Sequence, residues 1–161
     1  MIKIICMKNL LSFLALAVIV AACNNPVTET KTAGRDSSIV GTWQLVSGAT
    51  IEKNDTFITD YTKARSFIKV INATHFAFMG HDLTKGKDSV PFYSSGGGTY
   101  ALLDSNYTEH LQYCSDRAWE GNDFHFTIRI QHDTLVQQGL EKIDSIGVNR
   151  INIEKYVKVL P

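Results

Sequence analysis

Cysteine is scarce in this chain, and charge of neither sign is in excess. Sixteen basic side chains balance sixteen acidic ones, so the formal net charge at neutral pH is zero. Nucleic-acid-binding domains normally concentrate basic charge on one face, so this composition argues against nucleic acid as a partner. Cys6 and Cys23 lie in the N-terminal segment, which leaves Cys114 alone in the remainder. The domain therefore has no internal disulfide, and we expect Cys114 to be a half-buried hydrophobe at a strand end rather than a nucleophile.

Sequence motifs for catalysis and for metal binding are also missing. Gly96–Gly98 is followed by no Lys-Ser or Lys-Thr pair and leads into a predicted strand, so it is not a phosphate-binding loop. No Gly-x-Ser-x-Gly elbow occurs. The His-Asp pairs at 81–82 and 132–133 fall in predicted turns, and no further ligands at metal-binding spacing accompany them. We therefore expect neither an enzyme nor a bound metal or other cofactor.

The N-terminal segment has the features of an export signal. Residues 10–22 contain one polar side chain, Ser12, and follow the basic residue Lys8. A positive start followed by an apolar run of this length is typical of a secretory signal, whereas a membrane-spanning helix needs about 20 apolar residues. Translation starting at either Met1 or Met7 would produce such a signal, which we assign to residues 1–22.

Small residues precede a cysteine at the end of this run. The sequence Val20-Ala21-Ala22-Cys23 resembles the lipobox of bacterial lipoprotein precursors. The resemblance implies that Cys23 receives diacylglycerol, becomes the first residue after cleavage and attaches the protein to a membrane through its acyl chains. Ordinary signal cleavage near Ala22, with Cys23 free, is the alternative. If Cys23 is acylated, residues 23–37 consist of that cysteine and a flexible linker. We then expect a location in the cell envelope, with the outer membrane favoured.

From residue 38 onwards, apolar and polar side chains alternate in short runs. This period of two predicts β-strands. Two-residue connections such as Asp104-Ser105 predict antiparallel neighbours, and Ser115–Gly121 predicts one helical turn capped by Ser115. The pattern favours a single all-β domain at 38–161, an up-and-down antiparallel barrel of about eight strands, with an open sandwich as the alternative. The predicted strands lie at about 39–48, 65–72, 74–81, 97–103, 106–114, 123–132, 134–141 and 149–158, with a weaker run around Val90–Tyr93.

Alternation also predicts which side chains face the interior. The strand at 123–132 has an apolar face made of Phe124, Phe126, Ile128 and Ile130. The strand at 106–114 has an aromatic face made of Tyr107, Glu109, Leu111 and Tyr113. If that face is interior, Glu109 lies inside the barrel; if the phase is reversed, Glu109 is exposed. On the last strand Lys155 interrupts an apolar face, which favours a bulge there.

The first predicted strand carries the sequence Gly41-Thr42-Trp43. It resembles the Gly-x-Trp motif on the first strand of lipocalins and related calycin barrels, and residues 69–78, 96–102 and 107–113 are similar to small secreted lipocalin-like proteins of Bacteroidetes. The resemblance covers about residues 38–160 and implies a barrel with a ligand cup. It also implies that a basic side chain of the last strand crosses Trp43 and closes one barrel end, with Lys158 as the first candidate and Lys155 as the second.

The interior faces predict a pocket for a small hydrophobic or amphipathic ligand, in which Glu109 is a polar anchor for a hydroxyl, an amine or a cation. The alternative is a filled barrel that acts as a protein-interaction or inhibitor module of the envelope, with unknown protein partners. A cavity of ~300 Å³ or more would favour ligand binding, whereas an interior Glu109 beside a second titratable group would favour the third alternative, an enzyme that uses the cavity. The predicted pocket residues are Phe76, Phe78, Tyr100, Glu109, Tyr113, Phe126 and Ile128.

Overall fold

The structure, a computed structural model, describes residues 39–160. The predicted signal segment, Cys23 and the whole predicted linker lie outside the described residues. Within the described part, no helix has the length and apolar character needed to cross a membrane. This part consists of strands β1 (Gly41–Glu52), β2 (Asp55–Asp60), β3 (Arg65–Ile71), β4 (His75–Asp82), β5 (Tyr93–Leu103), β6 (Asn106–Cys114), β7 (Asp123–Gln131), β8 (Thr134–Ile143) and β9 (Val148–Lys158), with 3-10 turns at Arg117–Trp119 and Asp144–Ile146.

The sheet closes on itself. Each strand from β3 to β8 pairs antiparallel with the strand that follows it in the chain. β1 pairs with both β3 and β9. Trp43, for example, lies opposite Lys69 of β3 on one side and opposite Lys158 of β9 on the other. β1 and β3 to β9 therefore form a closed eight-stranded up-and-down barrel, which confirms the predicted fold and excludes the open sandwich.

The sequence pattern missed β2, which pairs with the second half of β1. Lys53 and Asn54 connect the two strands, and both have positive φ, as in the two-residue turns that match strand twist. Every residue of β2 is exposed, so β2 has no buried face to produce an alternating pattern. β1 therefore extends to Glu52, beyond its predicted end at residue 48. β5 begins at Tyr93, so it includes the last residue of the weaker run predicted around Val90–Tyr93.

A bulge between β5 and β6 reverses the side-chain phase. The register shifts at Gly98 and leaves Gln112 as an extra residue. A Cβ on Gly98 would lie 1.9 Å from the carbonyl oxygen of His110, so only glycine fits against the bulge. Beyond it Tyr113 points outward and is 69% exposed, whereas Cys114 lies on the interior. The prediction that Tyr113 is interior is therefore wrong.

A second bulge lies at Val46 of β1, opposite the last strand. The sequence predicts a bulge in β9 itself, but β9 keeps a continuous register and the extra residue is on its partner. The polar face of β9 therefore points inward, with Glu154 and Tyr156 inside and Ile151 and Val157 on the outer surface. The inner surface of the barrel is consequently more polar than the sequence pattern predicts.

The packed core lies at the end of the barrel where β1 begins, called here the closed end. Trp43 is fully buried, and its indole N–H donates to the carbonyl oxygen of Ile39 at 2.8 Å. The Lys158 ammonium lies 5.3 Å from the centroid of the Trp43 ring, the placement that the family resemblance implies. Antiparallel order brings the most buried side chains to this end: Ile39, Trp43, Ile71, Tyr107, Leu135 and Tyr156.

Candidate functional site

A cavity of about 310 Å³ lies in the opposite half of the barrel, called here the open half, and it is partly open to solvent. Its lining comes from strands β3 to β9 and from the 3-10 turn after β6. Most of these residues lie in the first part of β3, β5, β7 and β9 or in the last part of β6 and β8, which antiparallel order brings to one end. The cavity has two chemically different parts, an aromatic wall and a charged floor.

The wall is apolar and mostly aromatic. The rings of Phe67 and Phe78 stack with their centroids 5.8 Å apart. Phe124 lies 5.7 Å from Trp119 and 6.4 Å from Phe126, again between ring centroids. An apolar body bound here would gain about 25 cal/mol for each Å² removed from water. The full wall is Phe67, Phe78, Leu111, Trp119, Phe124 and Phe126.

Two local features place these rings. A Cβ on Gly96 would lie 2.5 Å from the Phe78 ring, so glycine at this position lets the ring lie against β5. The 3-10 turn after β6 carries Trp119, and the Asp116 carboxylate caps that turn by accepting a backbone N–H at 3.2 Å. The predicted turn within 115–121 is confirmed, but its cap is Asp116 rather than Ser115.

The floor is a buried ion pair within a hydrogen-bonded cluster. Lys69 Nζ donates to Glu109 Oε1 at 2.7 Å and to Gln137 Oε1 at 2.9 Å. Oε2 of Glu154 lies 4.0 Å from the same ammonium and accepts a hydrogen bond from the Tyr156 hydroxyl at 2.7 Å. Lys69, Glu109 and Gln137 are each at most 6% exposed. Because a buried charge is costly unless it is paired, this cluster depends on its mutual contacts.

Burial dominates the protonation behaviour of the floor. It raises the pKa of Glu109, and the Lys69 ammonium opposes that rise. Burial, and next the nearby Glu154 carboxylate, raise the pKa of Tyr156 well above its usual value. Burial also raises the pKa of Tyr107, whose hydroxyl is the only fully buried side-chain polar atom in residues 39–160 without a hydrogen-bond partner. Both tyrosines are therefore neutral at physiological pH.

A second ion pair lies closer to the open end. Arg150 Nε donates to Glu141 Oε2 at 2.7 Å, and the Asn152 side-chain amide donates to the other oxygen of Glu141 at 2.8 Å. The Arg150 guanidinium also lies 5.2 Å from the centroid of the Trp119 ring. Burial raises the pKa of Glu141, and Arg150 opposes that rise. Both cations that line the cavity are therefore already bound to carboxylates.

Three of the predicted pocket residues line the cavity. The phase that places Glu109 inside is confirmed, because Glu109 is buried and forms part of the floor. Phe78 and Phe126 belong to the aromatic wall.

The other predicted pocket residues lie elsewhere. Phe76, Tyr100 and Ile128 are buried in the packed core and do not line the cavity. Tyr113 lies on the outer surface because of the bulge in β6. The predicted pocket is therefore displaced toward the closed end relative to the observed cavity.

The sequence analysis missed the charged residues of the cavity, although a signal for them was present. Lys69 stands between Phe67 and Ile71 on one face of β3, and Gln137 shares a face of β8 with Leu135. A polar side chain in phase with buried apolar neighbours is the pattern of an interior polar group. The missed charged residues are Lys69, Asp116, Glu141, Arg150 and Glu154, and Gln137 was missed with them.

Cys114 lies at the end of β6 on the cavity lining and is half-buried, as predicted. Its backbone N–H donates to Glu120 Oε1 at 2.9 Å. Burial raises the pKa of the Cys114 thiol, which reduces the thiolate fraction and hence the nucleophilicity. Among residues 39–160, no three His, Cys, Asp or Glu side chains are arranged to hold a metal ion.

Comparison with known proteins gives no relative. No protein-family model, no curated protein and no solved structure matches the chain. The function is therefore argued from the cavity itself.

Proposed function

We propose that this protein binds one small amphipathic molecule in the open half of its barrel, as a lipocalin-like binding module that Cys23 attaches to a membrane. The observation that carries the proposal is the cavity of about 310 Å³, with an aromatic wall above a charged floor. Sites for small molecules are typically concave and largely apolar, with a few polar groups that fix orientation. A ligand with an apolar body and a polar head matches both parts.

The size of the cavity favours binding over a filled barrel that acts only through its outer surface. Its volume falls at the low end of the range of ~300–1,000 Å³ for small-molecule sites, so the ligand is small. The two longest side chains at its border are each held by a partner: Lys69 by Glu109 and Gln137, and Arg150 by Glu141. These contacts keep both side chains in place beside the cavity.

A binding role, rather than a catalytic one, fits the state of the reactive groups. General acid–base catalysis needs a group that is free to exchange a proton with the substrate. Glu109 is instead bound by Lys69, and Glu141 by Arg150 and Asn152. The half-buried thiol nearby has a raised pKa and is a poor nucleophile.

The membrane attachment is supported by the N-terminal sequence. Small residues before Cys23, at the end of a signal-like apolar run, match what a lipoprotein precursor requires. Two or three acyl chains on Cys23 would anchor the barrel firmly, because each buried methylene adds about 0.8 kcal/mol. A ligand that is itself amphipathic would be encountered at such a surface.

The test uses a covalent adduct on Cys114 to fill the cavity. The neutral fluorophore N-phenyl-1-naphthylamine should bind the full chain and brighten. Because burial slows reaction of the Cys114 thiol, N-phenylmaleimide is applied at mildly alkaline pH until mass spectrometry shows an adduct on Cys114. That adduct fills the cavity, so it should abolish binding of the fluorophore. The matched control is the Cys114→Ser variant, which should bind the fluorophore before and after the same treatment. Absence of binding to the untreated protein, or binding that survives alkylation of the wild type, would contradict the proposal.

A further inference from the structure

The cavity lining carries more acidic than basic charge. Its basic side chains are Lys69 and Arg150, and each is joined to a carboxylate at 2.7 Å. Two carboxylates are left over: Glu154 shares Lys69 at 4.0 Å, and Asp116 forms no ion pair within residues 39–160. With all groups in their usual ionic forms, the lining therefore has two negative charges in excess. The four acidic side chains are Glu109, Asp116, Glu141 and Glu154.

One of the deep carboxylates also leaves an acceptor oxygen without a donor. Glu109 receives its hydrogen bond from Lys69 on Oε1 and also has the buried Tyr107 hydroxyl beside it, whereas Glu154 receives a hydrogen bond only on Oε2. Among the described residues, no hydrogen bond reaches the second oxygen of Glu154. Glu109 is only 6% exposed and lines the cavity, so its remaining exposure is toward the cavity. A carboxylate oxygen in this environment gains from a donor, and gains more from a charged one.

We propose that the head group of the ligand is a protonated amine that lies at the floor beside Glu154 and Glu109, with its apolar body against the aromatic wall. The inference rests on the proposed function of the cavity as a binding site. A primary ammonium brings one compensating charge and three donors, of which one can reach the open oxygen of Glu154. Aromatic rings next to a cation add a further favourable contact.

The same arrangement disfavours an anionic head group. Lys69 already donates to Glu109 and Gln137, and Arg150 already donates to Glu141. A carboxylate ligand could reach the remaining N–H donors of Lys69 or Arg150, but it would add negative charge to a lining that already has an excess and would lie near Glu154, where like charges repel in a poorly solvated site. A neutral alcohol can donate one hydrogen bond but compensates no charge. The order of affinity is therefore ammonium, then alcohol, then carboxylate.

The experiment compares three probes with the same body and different heads: 4-phenylbutylammonium, 4-phenylbutanol and 4-phenylbutyrate. Their dissociation constants are measured by isothermal titration calorimetry on the full chain at pH 7 and low salt. The ammonium should bind about tenfold or more tightly than the alcohol, since a hydrogen bond to a charged group is worth about 1.5–3 kcal/mol, and the carboxylate should bind more weakly than the alcohol.

Glu154→Gln isolates the charge. Glutamine keeps the shape and can still accept from the Tyr156 hydroxyl, so the ammonium should lose about tenfold in affinity while the alcohol binds as before. The matched control is Asp104→Asn, which removes one carboxylate from an exposed turn outside the cavity lining. Its positive φ of 53° is one that asparagine tolerates, and the ranking of probes should not change. Thermal unfolding reports whether each variant is folded; if Glu154→Gln is not, the wild-type ranking decides alone.

The outcomes separate this inference from the proposed function. If the alcohol binds as well as the ammonium, or the carboxylate binds best, amine selectivity is wrong and the binding function stands. If N-phenyl-1-naphthylamine binds but none of the three probes does, amine selectivity is again wrong. If all four molecules fail to bind, both proposals fail. An unchanged ratio of ammonium to alcohol affinity in folded Glu154→Gln would refute the role assigned to Glu154.

Discussion

Replacing Lys69 with methionine tests the buried ion pair at the cavity floor. Methionine keeps most of the apolar stem but removes the ammonium that lies 2.7 Å from Glu109, in a site where the two side chains are 3% and 8% exposed. Glu109 would then be a buried carboxylate without its cation. Gln137 would also lose the donor at 2.9 Å. The variant therefore converts a compensated charge into an uncompensated one without changing the backbone.

Two estimates bound the loss of unfolding free energy in Lys69→Met, one from typical buried ion pairs and one from protonation of Glu109. Removal of one partner from a buried ion pair typically costs about 3–5 kcal/mol. Glu109 can escape the rest of the penalty by protonation, which costs at most about 3 kcal/mol at pH 7, the figure for its usual pKa of 4.5, because its pKa in the folded protein is already raised. Adding about 1 kcal/mol for the lost donor to Gln137, we expect a destabilisation of about 4 kcal/mol at pH 7. For a domain of this size that corresponds to a fall in Tm of roughly 10–20 °C.

The loss depends on pH with a definite sign. A carboxyl whose folded-state pKa lies above its unfolded value favours the folded state most at low pH, and that contribution is lost as pH rises through the folded pKa. In Lys69→Met the pKa of Glu109 rises further, so the difference in unfolding free energy from wild type should grow as pH rises toward 7 through the already raised pKa that Glu109 has in wild type. As pH falls from 7, this difference should shrink by about 1.4 kcal/mol for each pH unit, until only the loss of the hydrogen bond to Gln137 remains.

Urea unfolding of wild type, Lys69→Met and the double variant Lys69→Met/Glu109→Gln at several pH values makes the measurement. The double variant has no buried charge at this position, so it should recover most of the loss at pH 7 and show little of the pH dependence. A penalty that stays constant from pH 4.5 to 7, or that Glu109→Gln does not relieve, would refute the reasoning.

Two further predictions concern the N-terminus and an acid-sensitive loop. Cys23→Ala should move the protein from the membrane fraction to the soluble fraction on centrifugation; continued sedimentation with membranes would contradict acylation. Asp82 accepts the backbone N–H groups of Gly86 and Phe92 at 2.7 and 2.9 Å, and such bonds hold its pKa at about 2. Because this pKa is depressed, the contribution of Asp82 to stability is present above about pH 4 and is lost as pH falls toward 2. Asp82→Asn cannot accept both bonds with its single carbonyl oxygen, so hydrogen exchange in residues 83–92 should be faster than in wild type at neutral pH and similar near pH 2; equal exchange at neutral pH would count against this role.

The barrel is predictable because most of its strands have one buried face. β7 alternates cleanly, with Phe124 and Phe126 inside and their neighbours outside, and its partners follow the same rule. The sequence pattern does not predict β2, because both faces of β2 are exposed and no alternation results. It does not predict the positions of the bulges either, and one extra residue in a bulge reverses the direction of every side chain that follows on that strand. Tyr113 shows the result: its spacing from Glu109 is that of an interior residue, and its position is exterior.

The charged floor is harder to predict, for a physical reason. A lysine in a strand usually marks a solvated face, because a buried charge is costly unless a partner is present. Lys69 finds its partners on β6 and β8, which are 40 and 68 residues away along the chain. Such distant pairings are fixed by barrel closure rather than by any local pattern. The sequence could indicate Glu109 as interior, but not the cation that stabilises it.

A crystal structure of the protein grown with 4-phenylbutylammonium tests the central claim most directly. We expect difference density for one molecule within the open half of the barrel, its nitrogen within hydrogen-bonding distance of Glu154 or Glu109 and its ring against Phe78 and Phe126. A barrel whose own side chains occupy this space, or a probe found only on the outer surface, would contradict the account.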